Sequence, residues 1–438
     1  MTSDATTPRQ AYVWAWLPDA RAPVVAGRLE TVGEMLVFNY GRSYLQRDDA
    51  IALYLPELPL QSGAQRPAPG LRMAGCLRDA APDAWGRRVT LNRRFGKQSR
   101  DMDPARLDEL TYLLESGSDR VGALDFQTSP GDYVARHKQA ASLTELQAAA
   151  AMVEAGTPLS AELEQALLHG TSLGGARPKA MIEDGQHKWI AKFSSASDHY
   201  SVVKGEYLAM RLAAAAGLDV APVRLVRSAG KDVLLVRRFD RIPTEQGWQR
   251  KAMVSGLTLL GLDELMARYA SYLDLAEIIR HRFVQPRQTL RELYGRMVFN
   301  VLSGNTDDHA RNHAAFWDGH TLALTPAYDL CPQPRSGNEA SQAMLIHGND
   351  RSSRLQTCLD AAADFLLDTD TAKTLIAAQI SAITDHFENI CDEGGLDPVE
   401  RNLFRQRHFL NPSIFDQAPE ELRALRHPWQ EQATDRRR

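Results

Sequence analysis

The sequence predicts an α+β chain in two lobes, with an additional β-rich N-terminal subdomain in front and an all-helical lobe at the end. Three observations carry this prediction. The first third holds short runs rich in β-branched and aromatic residues, broken by Pro and Gly. The middle alternates strand and helix signals, and from about residue 250 helical periodicity dominates, interrupted by one hairpin signal. At ~150 residues per domain, 438 residues leave room for about three units. The breaks in pattern place them at 1–130, 131–245 and 246–438.

In the first unit the strand signals are AYVWAWLP (11–18), VVAGRLE (24–30), EMLVFNY (34–40) and IALYLPELPL (51–60), followed by a turn-rich loop at 61–70. Residues 84–93 and 104–115 have helical spacing, with Leu107, Leu110, Leu113 and Leu114 three to four apart. Residues 131–140 are polar and read as a linker. In the middle unit Ser160 caps a short helix at 161–168 that stops near Gly170. A Gly-containing turn then leads to strands at 179–183 and 187–193, a helix from Val202 to Ala216 ended by Gly217, and strands at 220–226 and 232–239. In the last unit AAFW (314–317), the Asp318-Gly319 pair and HTLALT (320–325) spell a hairpin, and 358–367 and 374–387 read as helices. The terminal Arg436, Arg437 and Arg438 read as a solvated tail.

Composition excludes several classes of function. Lys+Arg 51 against Asp+Glu 55 gives a net charge of -4, which argues against charge-driven binding to nucleic acid or an anionic membrane by the chain alone. The 44% hydrophobic and 24% charged content is that of a folded chain. Cys76, Cys331, Cys358 and Cys391 are scattered with no CxxC pair, so neither a disulfide scaffold nor an ordinary cysteine zinc site is expected. No stretch of ~18 apolar residues and no secretory leader pattern is visible, so the expected location is cytoplasmic, away from membranes.

The residues able to carry chemistry cluster in NVLSGNTDDHARNHAAF (300–316). Asp307 and Asn312 have the spacing of the protein-kinase loop HRDxxxxN, in which a carboxylate deprotonates the attacking hydroxyl and a carboxamide oxygen ligates Mg²⁺. After the hairpin, TPAYDL (325–330) sets Asp329 where a kinase holds its second Mg²⁺-binding Asp. Upstream, TSLGGARPK (171–179), with Gly174 and Gly175, is a turn whose amides can cradle phosphates. Lys192 on the second following strand can neutralise phosphates, and Glu206 on the next helix can hold it by an ion pair. Each feature alone is an ordinary turn, strand lysine or helix charge. Their order along the chain is kinase-like.

SLGGARPKA (172–180), LLVRRFDR (234–241), GNTDDHARNH (304–313) and LTPAYDL (324–330) together resemble the HipA family of bacterial serine/threonine-protein kinase toxins. LRDAAPDAWGRR (77–88) and DRVGALDF (119–126) are similar to that family's N-terminal subdomain. The resemblance implies ATP and Mg²⁺ as cofactors, Asp307 as catalytic base, Asn312 and Asp329 as metal ligands, and Lys192 as the phosphate-contacting lysine. It also implies a hinge at Val236–Phe239 with Phe239 beside the adenine, and a self-phosphorylated serine in the Gly turn, Ser172, whose modification silences the enzyme. Arg237 departs from the family at a hinge position where an acidic residue is common. The implied setting is a toxin–antitoxin module with a helix-turn-helix antitoxin partner, operator DNA bound mainly through that partner, and an aminoacyl-tRNA synthetase as substrate. The implied outcome is growth arrest or persistence.

Three rival readings remain. His309 and His313, four apart, offer a metal-hydrolase pair, though without the Glu of HExxH. A small-molecule phosphotransferase would share the same core residues. A catalytically silent co-repressor would be expected to have lost one of Asp307, Asn312, Asp329 or Lys192, all of which are present. Asp308 reads as a supporting or helix-capping carboxylate.

Overall fold

The computed structural model describes residues 8–99, 101–136, 141–168, 175–195, 198–245, 247–335, 337, 339–426 and 429. The chain forms two compact units: 1–197 with 226–254 and 316–320, and 198–225 with 255–315 and 321–438.

Among the described residues the first unit contains two larger sheets, besides the hairpin Arg241–Thr244/Gly247–Arg250. The strands β1 (Gln10–Ala15), β2 (Val24–Val32), β3 (Met35–Tyr40), β4 (Ala64–Gln65) and β5 (Leu124–Gln127) pair antiparallel in the order β4-β3-β2-β1-β5. The second sheet has β6 (Lys179–Glu183), β7 (Lys188–Phe193), β8 (Val223–Ser228) and β9 (Lys231–Arg237) in the order β6-β7-β9-β8. Alternation along β7 buries Trp189, Ala191 and Phe193 and leaves Lys188, Ile190 and Lys192 half-buried on the other face, as period-two side-chain placement requires. Trp189, Ala191 and Phe193 share one apolar core with Val233 and Leu235 of β9, Leu146, Ala149 and Val153 of the helix Leu143–Glu154, and Trp85 and Val89 of the helix Ala84–Phe95. Trp85 also donates its indole N–H to the Lys179 carbonyl at 2.9 Å. A motif from the N-terminal third is therefore part of the second sheet's core.

A buried charge cluster joins the same two stretches of sequence. Asp119 accepts from Arg238 Nη1 at 3.1 Å and Arg241 Nε at 2.9 Å, and it also pairs with Lys188. Asp240 accepts from Arg238 Nε at 2.9 Å and Nη2 at 2.7 Å, from Arg241 Nη1 at 2.9 Å, and from the Gly122 amide at 2.9 Å. Arg238 Nη2 continues to the Arg120 carbonyl at 2.7 Å, and Arg241 Nη1 to the Gly122 carbonyl at 2.9 Å. Asp119, Asp240, Arg238 and Arg241 are all buried. Burial alone would raise the Asp240 carboxyl, but Arg238 and Arg241 outweigh it and hold it at about 2. Burial is likewise outweighed at Asp119, chiefly by Arg241 and Arg238, and its carboxyl stands well below the usual range.

The second unit is helical. Pro286–Ser303 is buried over most of its surface, and Val202–Ala215, capped by Ser201, packs on Thr369–Glu393. The expected hairpin is present as Ala314–Trp317 and Leu322–Leu324, its residues 316–320 belonging to the first unit, with Asp318 Oδ1 accepting from the His320 amide at 2.8 Å in the turn. All four cysteines are free and buried, and among the described residues no helix is long and apolar enough to cross a membrane.

Several elements depart from the sequence expectation. Residues 51–60 form no strand: Pro56 and Pro59 lack the N–H a ladder needs, and Tyr54 bridges back to Leu58 instead. The expected helix 358–367 is two pieces, Leu355–Asp360 and a 3-10 turn Ala362–Phe365, ended where Leu366 enters the left-handed region at φ 60°. The capped helix Leu143–Glu154 and the hairpin Arg241–Thr244/Gly247–Arg250 were not anticipated. Residues 137–140 of the linker and the terminal arginines lie outside the described residues.

The cluster predicts an acid-sensitive fold. Both carboxylates are depressed in the folded state, so their stabilisation is fully present above the unfolded value of about 3.9 and is lost as pH falls toward about 2. Thermal unfolding should show the melting temperature dropping across that window. Asp240→Ala leaves Arg238 and Arg241 short of a buried partner and should cost about 3–5 kcal/mol by urea denaturation at pH 7; a loss under 1 kcal/mol would contradict this role.

Candidate active site

The loop 304–313 follows the long helix Pro286–Ser303, which Gly304 ends in the left-handed conformation (φ 71°) with its N–H on the Asn300 and Val301 carbonyls. Beyond it, Asp307 and Asp308 meet opposite fates. Asp308 is buried and accepts from His313 Nε2 at 2.9 Å and from the Tyr272 hydroxyl. Asn300 Nδ2 donates to the Tyr272 hydroxyl at 3.3 Å, and Asn305 Nδ2 to Asn300 Oδ1 at 2.9 Å. Burial would raise the Asp308 carboxyl, yet the His313 ring and the Tyr272 hydroxyl bring it below its ordinary value. Tyr272, buried beside this carboxylate, is pushed well up.

Asp307 is exposed as a residue and free of that network. Loss of solvent around its carboxyl raises its pKa; His309 opposes this, while the charges of Asp329 and Asp308 add to it. Asp329, half-buried, holds a non-glycine backbone at φ 60°, a sparsely populated region that costs free energy and recurs at functional positions. Its placement is secured by the two residues before it. Ala327 donates to the Asp219 carbonyl at 2.7 Å and accepts from the Ala221 amide at 2.9 Å, and the Tyr328 hydroxyl donates to the Arg311 carbonyl at 2.7 Å. Asn312 ends a 3-10 turn; its amide donates to the His309 carbonyl at 2.8 Å, and its Nδ2 donates to the Asp307 carbonyl at 3.3 Å. That bond commits the NH₂ side of the carboxamide, so the oxygen is the end left for a cation. Gly256 backs the loop at close range: a Cβ there would stand 2.5 Å from the Ala310 carbonyl oxygen.

The donor set of Asp329 carboxylate and Asn312 carboxamide oxygen fits Mg²⁺, which takes oxygen ligands and is held by one or two protein groups with substrate phosphates completing its shell. Among the described residues no group of three or more His, Cys, Asp and Glu gathers for a metal. His313, one half of the alternative metal pair, turns its Nε2 to Asp308 and is buried.

The remaining predicted residues lie in the first unit, apart from Glu206, which is buried on the helix Val202–Ala215 of the second. Lys192 sits in β7 with Lys179 and Leu234 as its cross-strand partners. Val236 is buried in β9 opposite Ile190, and the half-buried Phe239 meets Phe316 edge-on with centroids 5.9 Å apart. Ser172 and Gly174 lie outside the described residues. Gly175 is described, at φ 104°. The ammonium of buried Lys179 lies 2.5 Å from where its Cβ would stand, so any side chain there would displace that lysine. Lys179, which no sequence motif marks as a site residue, also has its Nζ 3.8 Å from Asp83 Oδ2. The available signal was its place directly after the Gly turn, at the first position of β6.

Comparison with known proteins gives a consistent result. Residues 17–127 match the HipA N-terminal domain and residues 171–387 the HipA-like C-terminal domain. A putative kinase, Y4mE, of Sinorhizobium fredii is 31% identical over 147 residues, 32% of this chain and 33% of that protein. The serine/threonine-protein kinase toxin HipA of Shewanella oneidensis is 27% identical over 183 residues, 36% of this chain and 42% of that protein. The chain thus spans between about a third and two fifths of the length of these curated relatives. Among solved structures, the Shewanella oneidensis complex of HipA, HipB and operator DNA is similar with a TM-score of 0.66 at 19% identity, covering 90% of this chain and 94% of that one. That likeness establishes the fold, a kinase-like α+β architecture.

The buried network around Asp308 generates a stability prediction. Tyr272→Phe removes one donor and should cost about 1–2 kcal/mol, whereas Asp308→Ala strips both Tyr272 and His313 of their acceptor and should cost more. Denaturant titration of the two variants checks the order; an Asp308→Ala variant as stable as Tyr272→Phe would contradict it.

Proposed function

The chain belongs to the HipA family, and from that premise we propose that it is an ATP-dependent serine/threonine-protein kinase acting as the toxin of a toxin–antitoxin module. The observation that carries the reading is the loop geometry of the second unit. Asp307 stands outside the Asp308 network, Asn312 Nδ2 bonds its carbonyl, and the charge of Asp329 acts on its carboxyl, which supports Asn312 and Asp329 as the groups that would hold a cation beside it.

Bound ATP with Mg²⁺ supplies the electrophilic γ-phosphoryl group and the charge that offsets its transfer. Asp307 orients the acceptor hydroxyl and takes its proton as the oxygen attacks. Asn312 and Asp329 fix the cation. In the first unit the backbone of Val236–Phe239 receives the adenine beside Phe239, and Gly174, Gly175 and Lys192 receive the phosphates. Ser172 is the site of self-phosphorylation: a phosphoserine adds about -1.5 to -2 charges to a loop that must accept phosphate, and repulsion silences the enzyme. The protein substrate is an aminoacyl-tRNA synthetase, whose modification halts translation and leads to growth arrest. A small helix-turn-helix antitoxin is the partner, and repression of the operator works mainly through it. The near-neutral net charge of -4 supports that division of labour.

Incubation with labelled ATP and a panel of synthetases tests the activity. Wild type should label at least one synthetase, and Asp307→Asn should reduce the rate by at least about 10²-fold, the scale of general-base catalysis. Equal labelling by the two would remove the kinase reading. The pH profile gives a second check. Asp307 works ionised and its pKa is raised, so kcat/KM should fall on the acid side at a higher pH than for an ordinary aspartate near 3.9. Phosphopeptide mapping after ATP treatment should find Ser172 modified; label found only elsewhere would refute self-silencing at that residue.

A further inference from the structure

The charged residues of LLVRRFDR point to a role that the hinge reading leaves unassigned. The ladder of β9 ends at Arg237, opposite Trp189, and one more backbone bond follows, from the Arg238 amide to the Lys188 carbonyl at 2.8 Å. From Phe239 to Arg241 the chain leaves the sheet before entering the hairpin Arg241–Thr244/Gly247–Arg250. Backbone pairing resumes at Asp240, whose carbonyl accepts from the Lys251 amide at 3.0 Å. Between these two backbone bonds the segment is also gripped by side chains. Asp240 is local to the segment. Asp119 comes from about 120 positions earlier and accepts from both Arg238 and Arg241, while Lys188 of the neighbouring strand pairs with the same carboxylate. The reverse grip is made by the two guanidinia, which donate to the Asp119, Arg120 and Gly122 carbonyls at 3.1, 2.7 and 2.9 Å. Arg250 closes the side of this cluster by donating to the Ser118 carbonyl at 2.9 Å and lying over the Trp16 ring at 3.4 Å.

We propose that Asp119 is a positioning residue for nucleotide binding: through Arg238 and Arg241 it fixes the backbone of the hinge, so that nucleotide affinity is set from within the N-terminal segment 119–122. This rests on the reading of Val236–Phe239 as the hinge. Asp119 acts through the two guanidinia and touches no reacting atom. Its loss leaves two buried guanidinia sharing Asp240, and the segment that follows Val236 relaxes toward other arrangements. A ligand that needs one arrangement then binds more weakly, by the fraction of molecules that retain it. Conversely, bound nucleotide must stabilise the clamp that favours it.

The test uses the full chain. Asp119→Asn keeps the shape of the side chain and removes its charge. It should raise the KM for ATP about ten-fold, equivalent to roughly 1.4 kcal/mol, with kcat changed less than about two-fold. A purely structural role would lower the melting temperature and the active fraction, leaving the KM for ATP of the folded molecules unchanged, and that result overturns the proposal. A second measurement needs no variant: hydrogen exchange of wild type with and without ADP. Nucleotide should slow exchange at the amides of both 119–122 and 238–241; slowing that never reaches 119–122 overturns the proposal even if the variant fails to fold. Wild type that binds no nucleotide removes the kinase reading and this proposal with it. Normal wild-type binding with an unaltered Asp119→Asn variant removes only this proposal.

Discussion

The first unit depends on charge compensation out of water. Asp119 and Asp240 face Arg238 and Arg241 in an interior where an unpaired guanidinium or carboxylate would be prohibitively costly. Once these four groups are buried, every one must find its partners, and the partners come from stretches about 120 residues apart. An apolar contact between the same stretches would tolerate sliding. Forked guanidinia on carboxylates and carbonyls do not, because each bond has a direction. Hydrophobic burial around Trp85 and Trp189 brings the N-terminal helix and the second sheet together, and the charge cluster decides the register in which they meet.

The loop 304–313 of the second unit uses the same logic on a smaller scale. Two adjacent carboxylates would ordinarily compete for one role. Here His313 and Tyr272 take Asp308 into the interior and hold it ionised, which anchors the loop and leaves Asp307 outside. Environments that push neighbouring groups apart in pKa assign them different tasks. The one below its ordinary value is structural. The one raised by lost solvent and by the neighbouring charges of Asp329 and Asp308 is the one proposed as the base.

What could be read from the sequence follows from how local each signal is. The Asp318-Gly319 turn, the helix from Val202 ended by Gly217 and the alternation around Lys192 are encoded within a few residues, and the structure has them. The spacing of Asp307, Asn312 and Asp329 could be picked out because the proposed chemistry demands such a spacing. The anchoring role of Asp308 was half legible, since Tyr272 lies 36 positions away and no local pattern announces it. Residues 51–60 misled because Ile51, Leu53 and Tyr54 carry strand-like side chains, while the constraint that decides the backbone is Pro56 and Pro59. Lys179 escaped notice because its significance lies in a close approach to Gly175, which only coordinates display.

Two of the stretches that carry the family resemblance, DRVGALDF and LLVRRFDR, meet each other in space, and this alters what such stretches signify. A motif near a proposed nucleotide hinge invites the assumption that its charged residues touch the ligand. Arg238, Asp240 and Arg241 are instead consumed by Asp119, Arg120 and Gly122 and by one another. The clamp also explains why the N-terminal β-rich part and the second sheet form one compact unit. Removing residues before 130 would take away Asp119 and the Trp85 helix together, exposing two guanidinia and half a core. The N-terminal part is therefore a structural component of the lobe it precedes in sequence.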